Sequence, residues 1–250
     1  MVKFSIITVC RNSAATIAKT INSVAEQSVA DIEHIFIDGA STDDTLSIIK
    51  SLAGPNVTLV SEPDKGIYDA MNKGIALAKG DVIGLLNADD HYAHNAVLMD
   101  VAKAFLPQNI DVVFGDVGFF RQNAPDKIIR HYNSGSFNPK RIAFGIMPAH
   151  PATFLKREIY ERFGSFKTDF QIAADFEFIA RIFKSNQLRY KYLPEILVKM
   201  QSGGVSTKGL HSILTLNQEI LRACRENDIR SSVFHLACKA PARLLELIRT

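Results

Sequence analysis

The first 110 residues alternate short β-branched apolar runs with amphipathic segments, and this rhythm limits the fold more than any other feature. Residues 4–10, F-S-I-I-T-V-C, read as a buried strand. Asn12 or Ser13 can then cap a helix that keeps Ile17, Ile21 and Val24 on one face. A second strand spans 34–37, and Ser41 with Asp44 three residues on has the spacing of a cap for the helix carrying Leu46, Ile49 and Leu52. A third strand covers 56–60, with a helix over 66–79 that Gly80 is suited to end. A fourth covers 82–86, with a helix over about 95–105. Such alternation predicts an α/β fold in which a mostly parallel, Rossmann-like sheet is sandwiched by helices.

After residue 111 the rhythm changes. Residues 111–120 and 127–132 read as strands joined by a polar turn at 122–126, with no helix between them. An irregular stretch at 133–151 precedes helices near 157–163 and 174–184, and two strand-like segments, 188–193 and 196–200, flank Pro194. From Leu210 the chain is helical in character, with breaks around 228–232 and at Pro241. The expected organisation is one domain over 1–208, divided into halves 1–110 and 111–208, followed by a helical extension over 209–250.

Bulk properties narrow the classes of function. A net charge of +3, with no long run of like charge, gives no case for a nucleic-acid partner. Cys10, Cys224 and Cys238 are odd in number and widely spaced, which suits a reducing compartment and neither a disulfide framework nor a zinc site. No apolar stretch approaches the roughly 20 residues that span a bilayer, so a cytoplasmic location is expected.

In an open parallel sheet, ligands bind beyond the carboxyl ends of the strands. Those ends carry Arg11 and Asn12 after the first strand, D-G-A-S-T-D-D (38–44) after the second, S-E-P-D-K-G (61–66) after the third and N-A-D-D (87–90) after the fourth. Taken singly, each loop reads as a polar turn or helix cap. Converging on one rim, they form an acidic, oxygen-rich surface of the kind hard divalent cations prefer. The chain has no G-x-G-x-x-G, no G-x-x-x-x-G-K-[ST] and no G-x-S-x-G, which removes the dinucleotide, P-loop and hydrolase fingerprints. Asp89 and Asp90 are adjacent carboxylates. At about 5 Å they repel by roughly 3 kcal/mol at an effective dielectric near 20, a cost that a cation reverses; one of them can equally cap the following helix, and the two roles can coexist.

The order strand, Asn12, helix, Gln27, then I-D-G-A-S-T-D-D-T (37–45) and N-A-D-D (87–90), resembles the family 2 glycosyltransferases of GT-A fold. The stretch S-E-P-D-K-G-I-Y-D-A-M-N-K-G (61–74) resembles a group of that family involved in bacterial surface polysaccharides, and the likeness extends over about residues 3–204. The resemblance implies a nucleotide-diphosphate sugar as donor, a saccharide or lipid-linked saccharide as acceptor, and Mn²⁺ or Mg²⁺ as the bridging cation. Asp38 matches the acid near the nucleoside, Asp90 the metal ligand, and Asp89 the residue nearer the sugar or ribose. Asp175, in I-A-A-D-F-E (172–177), matches the catalytic base, with Glu177 a second choice. His150 falls where related sequences place a histidine near the acceptor or metal. Asp64, Lys65 and Asp69 of the third loop and Ser206 of G-G-V-S (203–206) complete the donor-binding set. Where many members carry two aspartates, this chain has Asp38-Gly39, so one nucleobase contact is absent. It also has no Trp, hence no Gln-x-x-Arg-Trp element, which points to single transfer rather than polymerisation.

Two rivals stay open on sequence grounds. A nucleotidyltransferase would share the sheet and metal logic but would want a Gly-rich basic loop after the first strand. A non-catalytic sugar- or nucleotide-binding module would keep the acidic residues without activity. The segment 233–248 has the look of a basic amphipathic helix, which would lie on a membrane surface or pack on its own domain or a homodimer partner.

Overall fold

Every residue of strand β1 (Phe4–Cys10) is buried, as a strand with neighbours on both sides and helices on both faces must be. The structure, a computed structural model, describes residues 2–29, 31–107, 109–122, 124–202 and 209–237. Strand β1 pairs in parallel with β2 (Ile32–Asp38) and with β4 (Val82–Leu85), and β2 pairs in parallel with β3 (Val57–Ser61). Helices α1 (Ile17–Ala25), α2 (Thr45–Leu52) and α3 (Ile67–Leu77) make the crossovers. The period of two along β1 distributes its side chains between the layers. Phe4 and Ile6 join Val97, Leu98 and Val101 of α4 (Val97–Phe105) in one core cluster, while Ile7 and Val9 join Met71 of α3 in another. Each such side chain contributes about 1.5–3 kcal/mol on burial.

The described sheet has nine strands in the order β3-β2-β1-β4-β8-β6-β9-β5, with β7 paired to β6. Strand β8 (Thr153–Lys156) is inserted antiparallel between β4 and β6 (Val112–Arg121). Strand β7 (Ala124–Tyr132) forms a hairpin with β6, β9 (Tyr190–Gln201) runs parallel to β6, and the two-residue β5 (His91–Tyr92) pairs antiparallel with β9. Helices α5 (Arg157–Phe163) and α6 (Ala174–Phe183) follow β8, and α7 (Gly209–Glu226) and α8 (Val233–Ala237) come last. Both β8 and β5 are too short to show a period, and neither is visible in the sequence. The two segments flanking Pro194 are one strand, whose register against β6 shifts between Phe114 and Val117. That irregularity accommodates the proline, which has no N–H to give to a ladder.

Three helix ends differ from the sequence expectation. Helix α1 starts only at Ile17, because Asn12 takes a left-handed conformation (φ 50°) and its side chain turns to the second loop. Ser41 does not cap α2; its hydroxyl goes to Asp38, and Asp43 instead receives the Thr45 amide. Gly80 does not end α3, whose last residue is Leu77. It is required for contact: its N–H donates to Ser5 Oγ at 2.8 Å, and a Cβ there would lie 2.6 Å from the Ser5 backbone nitrogen. Gly80→Ala should therefore destabilise by about 1–3 kcal/mol, seen as a melting temperature lower by several degrees. An unchanged melting curve would show that this approach is looser than described.

Candidate functional site

The loops that leave β1, β3 and β4 on the same side of the sheet open on a cavity of about 1170 Å³, which the 3₁₀ turn His150–Ala152 and the start of α6 complete. Arg11, Asn12, Asp64, Asp89, His150 and Asp175 line it. Five of these were singled out in the sequence, and they come from five separate segments of chain.

Each is held locally. Asn12 Oδ1 accepts the Thr42 amide at 2.9 Å, joining the first loop to the second. Asp64 Oδ1 accepts the Gly66 amide at 2.9 Å, and Gly66 enters α3 at φ 119°, a conformation that glycine adopts without strain. The other Asp64 oxygen lies against Gly39, where a Cβ would come within 2.3 Å of it. A side chain at position 39 therefore has no room beside Asp64.

The acidic pair after β4 separates into an open and a closed member. Thr20 of α1 donates to the carbonyls of Ala88 (3.0 Å) and Asp90 (2.7 Å) and fixes the turn. Asp89 is exposed and lines both the large cavity and a smaller hollow of about 180 Å³ beside it. Asp90 lines only the smaller hollow and is 1% exposed, because the chain runs straight on into β5 and pairs with β9 above it. Asn87 donates to Asp90 Oδ2 at 3.3 Å, while Oδ1 meets no hydrogen-bond donor among the described residues. Burial, reinforced by the neighbouring Asp89 charge, holds the Asp90 carboxyl well above the usual carboxylate range.

Asp175 is the second residue of α6. Its Oδ1 accepts the Phe176 amide at 2.8 Å and faces the Tyr68 hydroxyl at 3.4 Å. Burial raises its pKa, with nearby His150 opposing the shift. Burial conversely lowers His150, whose ring meets Phe166 edge-on at 5.8 Å between centroids. A proton-accepting carboxylate, a neutral imidazole and an open acidic turn therefore share one cavity. Residues 5–167 match the model of glycosyl transferase family 2.

The chain belongs to glycosyl transferase family 2. It is a glycosyltransferase, and its fold is that of the GT-A enzymes. It is 32% identical over 212 residues to a PGL/p-HBAD biosynthesis glycosyltransferase of Mycobacterium bovis, covering 81% of this chain and 78% of the relative. Among solved structures, S. aureus TarS 1-349 in complex with UDP-GlcNAc superposes with a TM-score of 0.68 at 18% identity, over 91% of this chain and 68% of that one. The mannosyltransferase PcManGT from Pyrobaculum calidifontis, in complex with GDP-Man and Mn²⁺, superposes at 0.61 and 19% identity, over 98% and 81%. Of a longer TarS chain this transferase spans 40%.

Several residues named from the sequence are not brought to the cavity of this transferase. Asp38 sits at the end of β2 but is wholly buried, and its two oxygens accept from the Ser41 amide (2.9 Å), the Ser41 hydroxyl and Ser61 Oγ (2.7 Å). It ties loops together and leaves no oxygen facing the cavity. Asp69 lies in the first turn of α3, where it accepts the Lys65 amide at 3.1 Å and pairs with Lys73 at 3.6 Å; the Lys65 side chain is exposed away from the lining. Glu177 does not line the cavity. It is fully buried, with Arg181 at 2.9 Å, Lys167 at 3.1 Å and Asn227 at 3.3 Å consuming its oxygens. Gln27 is also structural, accepting the Leu98 amide of α4 at 2.9 Å. Ser206, with the 203–206 loop, lies outside the described residues, as does most of the segment 233–248. Of that segment, Val233 and Phe234 of α8 are exposed.

Sequence reading missed Tyr68, Arg121 and Arg130, all of which line the cavity. Tyr68 had a signal in G-I-Y-D-A-M-N, since an aromatic at the start of a helix that follows a binding loop points back toward that loop. The arginines had none, because only the register of the β6–β7 hairpin turns them inward.

Proposed function

We propose that the protein transfers a single sugar from a nucleotide-diphosphate sugar to an acceptor hydroxyl, with inversion at the anomeric carbon and dependence on a divalent cation. The observation that carries this reading is the meeting of Asp175, as a partly buried carboxylate, with the open Asp89 turn in one cavity. The Asp175 carboxylate takes the proton of the acceptor hydroxyl as that oxygen bonds to the anomeric carbon. The bond from that carbon to the nucleotide diphosphate breaks at the same time, and the diphosphate leaves with the electron pair. Neutral His150 lies within the influence of Asp175, where its ring nitrogens can hydrogen-bond the acceptor or the transferred sugar. Arg11, Asn12 and Asp64 line the end of the cavity nearest β1 and β3 and are assigned to the nucleotide.

The residues present fit a cation. The Asp90 oxygen without a donor is buried next to an exposed carboxylate, and both line the smaller hollow. Among the described residues no three acidic, His or Cys side chains group to hold one unaided, so substrate phosphate oxygens and water would complete the shell. A bound cation supplies charge stabilisation for the departing diphosphate. Because Asp89 is the open member, we assign it the side facing the diphosphate and Asp90 the buried side, a fuller division than metal on one and donor on the other.

We place the activity at the cytoplasmic face of a cell membrane, in bacterial surface polysaccharide assembly, with a saccharide or lipid-linked saccharide as acceptor. The mycobacterial relatives named for PGL/p-HBAD biosynthesis support a biosynthetic transfer. No helix among the described residues is long and apolar enough to cross a membrane.

A thermal-shift screen of nucleotide sugars, with and without Mn²⁺, tests this reading. A donor at about 100 times its dissociation constant adds roughly 2.7 kcal/mol, which for a chain of this size raises the melting temperature by roughly 5–10 °C. The response should need the metal, and NMR of the product should show an inverted anomeric configuration. No response to any donor, with or without metal, would favour a non-catalytic relative.

A further inference from the structure

The loop that presents Asp175 is bonded on its far side to a carboxylate outside the cavity. Helix α7 directs Glu219 at residues 171–173, and this one side chain accepts three consecutive amides: Gln171 at 2.6 Å, Ile172 at 2.9 Å and Ala173 at 2.8 Å. Glu219 is only 9% exposed. The amides that open a helix need acceptors, usually from the helix's own cap residue. Ala173 is the cap position of α6 and Gln171 and Ile172 lie before it, so Glu219 holds the chain that leads into the helix, while within the first turn the Phe176 amide is taken by Asp175 itself. The peptide unit at Ile172 is held from both sides, since its carbonyl accepts from the Tyr68 hydroxyl that also faces Asp175.

Glu219 is the first of three contacts on one helical face. Arg222 bonds the Asp169 carboxylate and its carbonyl (3.2 Å) and lies 4.2 Å over the Phe170 ring. Glu226 pairs with Lys167 at 2.6 Å. Spaced three and four residues apart, these side chains share a face of α7 and hold the strand of chain 167–173 along its length.

We infer that Glu219 is a positioning residue for Asp175, fixing the backbone from which the carboxylate is presented and placing a negative charge behind it. This rests on the reading of Asp175 as the base. Three donors on two carboxylate oxygens leave no place for a carboxamide, because Glu219→Gln turns an NH₂ group toward at least one N–H. With the charge gone and the loop less firmly held, the Asp175 carboxylate becomes a weaker base and a less well placed one.

The test compares wild type, Glu219→Gln and Glu219→Asp by carbon NMR titration of the Asp175 carboxyl, assigned with Asp175→Asn, and by steady-state transfer from UDP-GlcNAc or GDP-Man with Mn²⁺. Glu219→Gln should lower the proton affinity of Asp175 by about tenfold and move the acid limb of the kcat profile to lower pH. A displacement of about 1 Å should cost roughly 10–100-fold in kcat, with donor KM unchanged. Glu219→Asp keeps charge and acceptors and should recover part of the loss. An unmoved titration, or kcat and melting temperature falling together without a pH shift in both variants, would overturn the inference. Wild-type transfer by Asp175→Asn would instead remove the base assignment, while the NMR titration would still report whether Glu219 controls that carboxyl.

Discussion

Asp175→Asn should reduce sugar transfer by about 10²–10⁴-fold, the range lost when a positioned general base is removed, and should leave donor binding nearly intact. Asparagine has the size of aspartate and keeps an oxygen to accept the Phe176 amide, so the start of α6 has no reason to move. What it lacks is a site for the acceptor proton. The wild-type pH dependence carries the same signature. Burial raises the Asp175 pKa, so the ionised base is lost as pH falls through a value above the ordinary carboxylate range. The acid limb of kcat should therefore lie higher than an exposed aspartate would give, and the neighbouring His150 moderates the shift. Steady-state rates from pH 4 to 9, with calorimetric binding of UDP or GDP in Mn²⁺, check both parts. Transfer at the wild-type rate by the variant would show that another group takes the proton.

Asp90→Asn should have opposite effects on the stability of the metal-free protein and on its use of metal. Folding raises the proton affinity of Asp90 above its value in the unfolded chain. Its contribution to stability is therefore full at pH below the ordinary carboxylate value and is lost as pH rises through the raised one. The metal-free fold carries a buried carboxyl with one oxygen lacking a donor, a kind of defect that costs about 1–3 kcal/mol or more. The variant should then melt several degrees higher than wild type at pH 7.5, with the advantage shrinking toward pH 4. It should also lose the Mn²⁺-dependent part of the donor-induced shift. Asp89→Asn should lose the same metal response with a smaller gain in stability, since burial raises its carboxyl less than that of Asp90. Melting curves at two pH values, with and without Mn²⁺, decide the matter. A destabilised Asp90→Asn protein that keeps its metal response would show that Asp90 is a structural acid.

The parts of the site that were legible in the sequence are those governed by chain-local rules. A β-branched run must be buried, and the polar residues that end it must lie on a rim; this is enough to find Asn12, Asp64 and Asp89. Asp175 needed the family resemblance, because an acid in the first turn of a helix is common for dipole reasons alone. The acids that do not line the cavity share one feature. Asp38, Asp69 and Glu177 were acids in suitable segments whose oxygens are already taken by Ser41 and Ser61, by Lys65 and Lys73, and by Arg181 and Lys167. Lys73 and Arg181 stand at the four-residue spacing within a helix that marks a side-chain partner in advance; the other partners do not. Glu219 was missed for the converse reason: its partners are backbone amides 46 to 48 residues away, which no side-chain pattern announces.

The sequence by itself determined the alternating architecture, the rim on which chemistry would occur and the residue types available there. These follow from burial, periodicity and turn propensity, all of which act within a few residues. Tertiary structure alone decided which carboxylates are free. The antiparallel insertion of β8 carries His150 to the rim, since the 3₁₀ turn that opens with it leads directly into that strand. The pairing of His91 and Tyr92 with β9 closes over Asp90 and leaves Asp89 open. Two neighbouring aspartates, equivalent in sequence, become chemically different because one two-residue strand forms hydrogen bonds with a segment more than a hundred residues away.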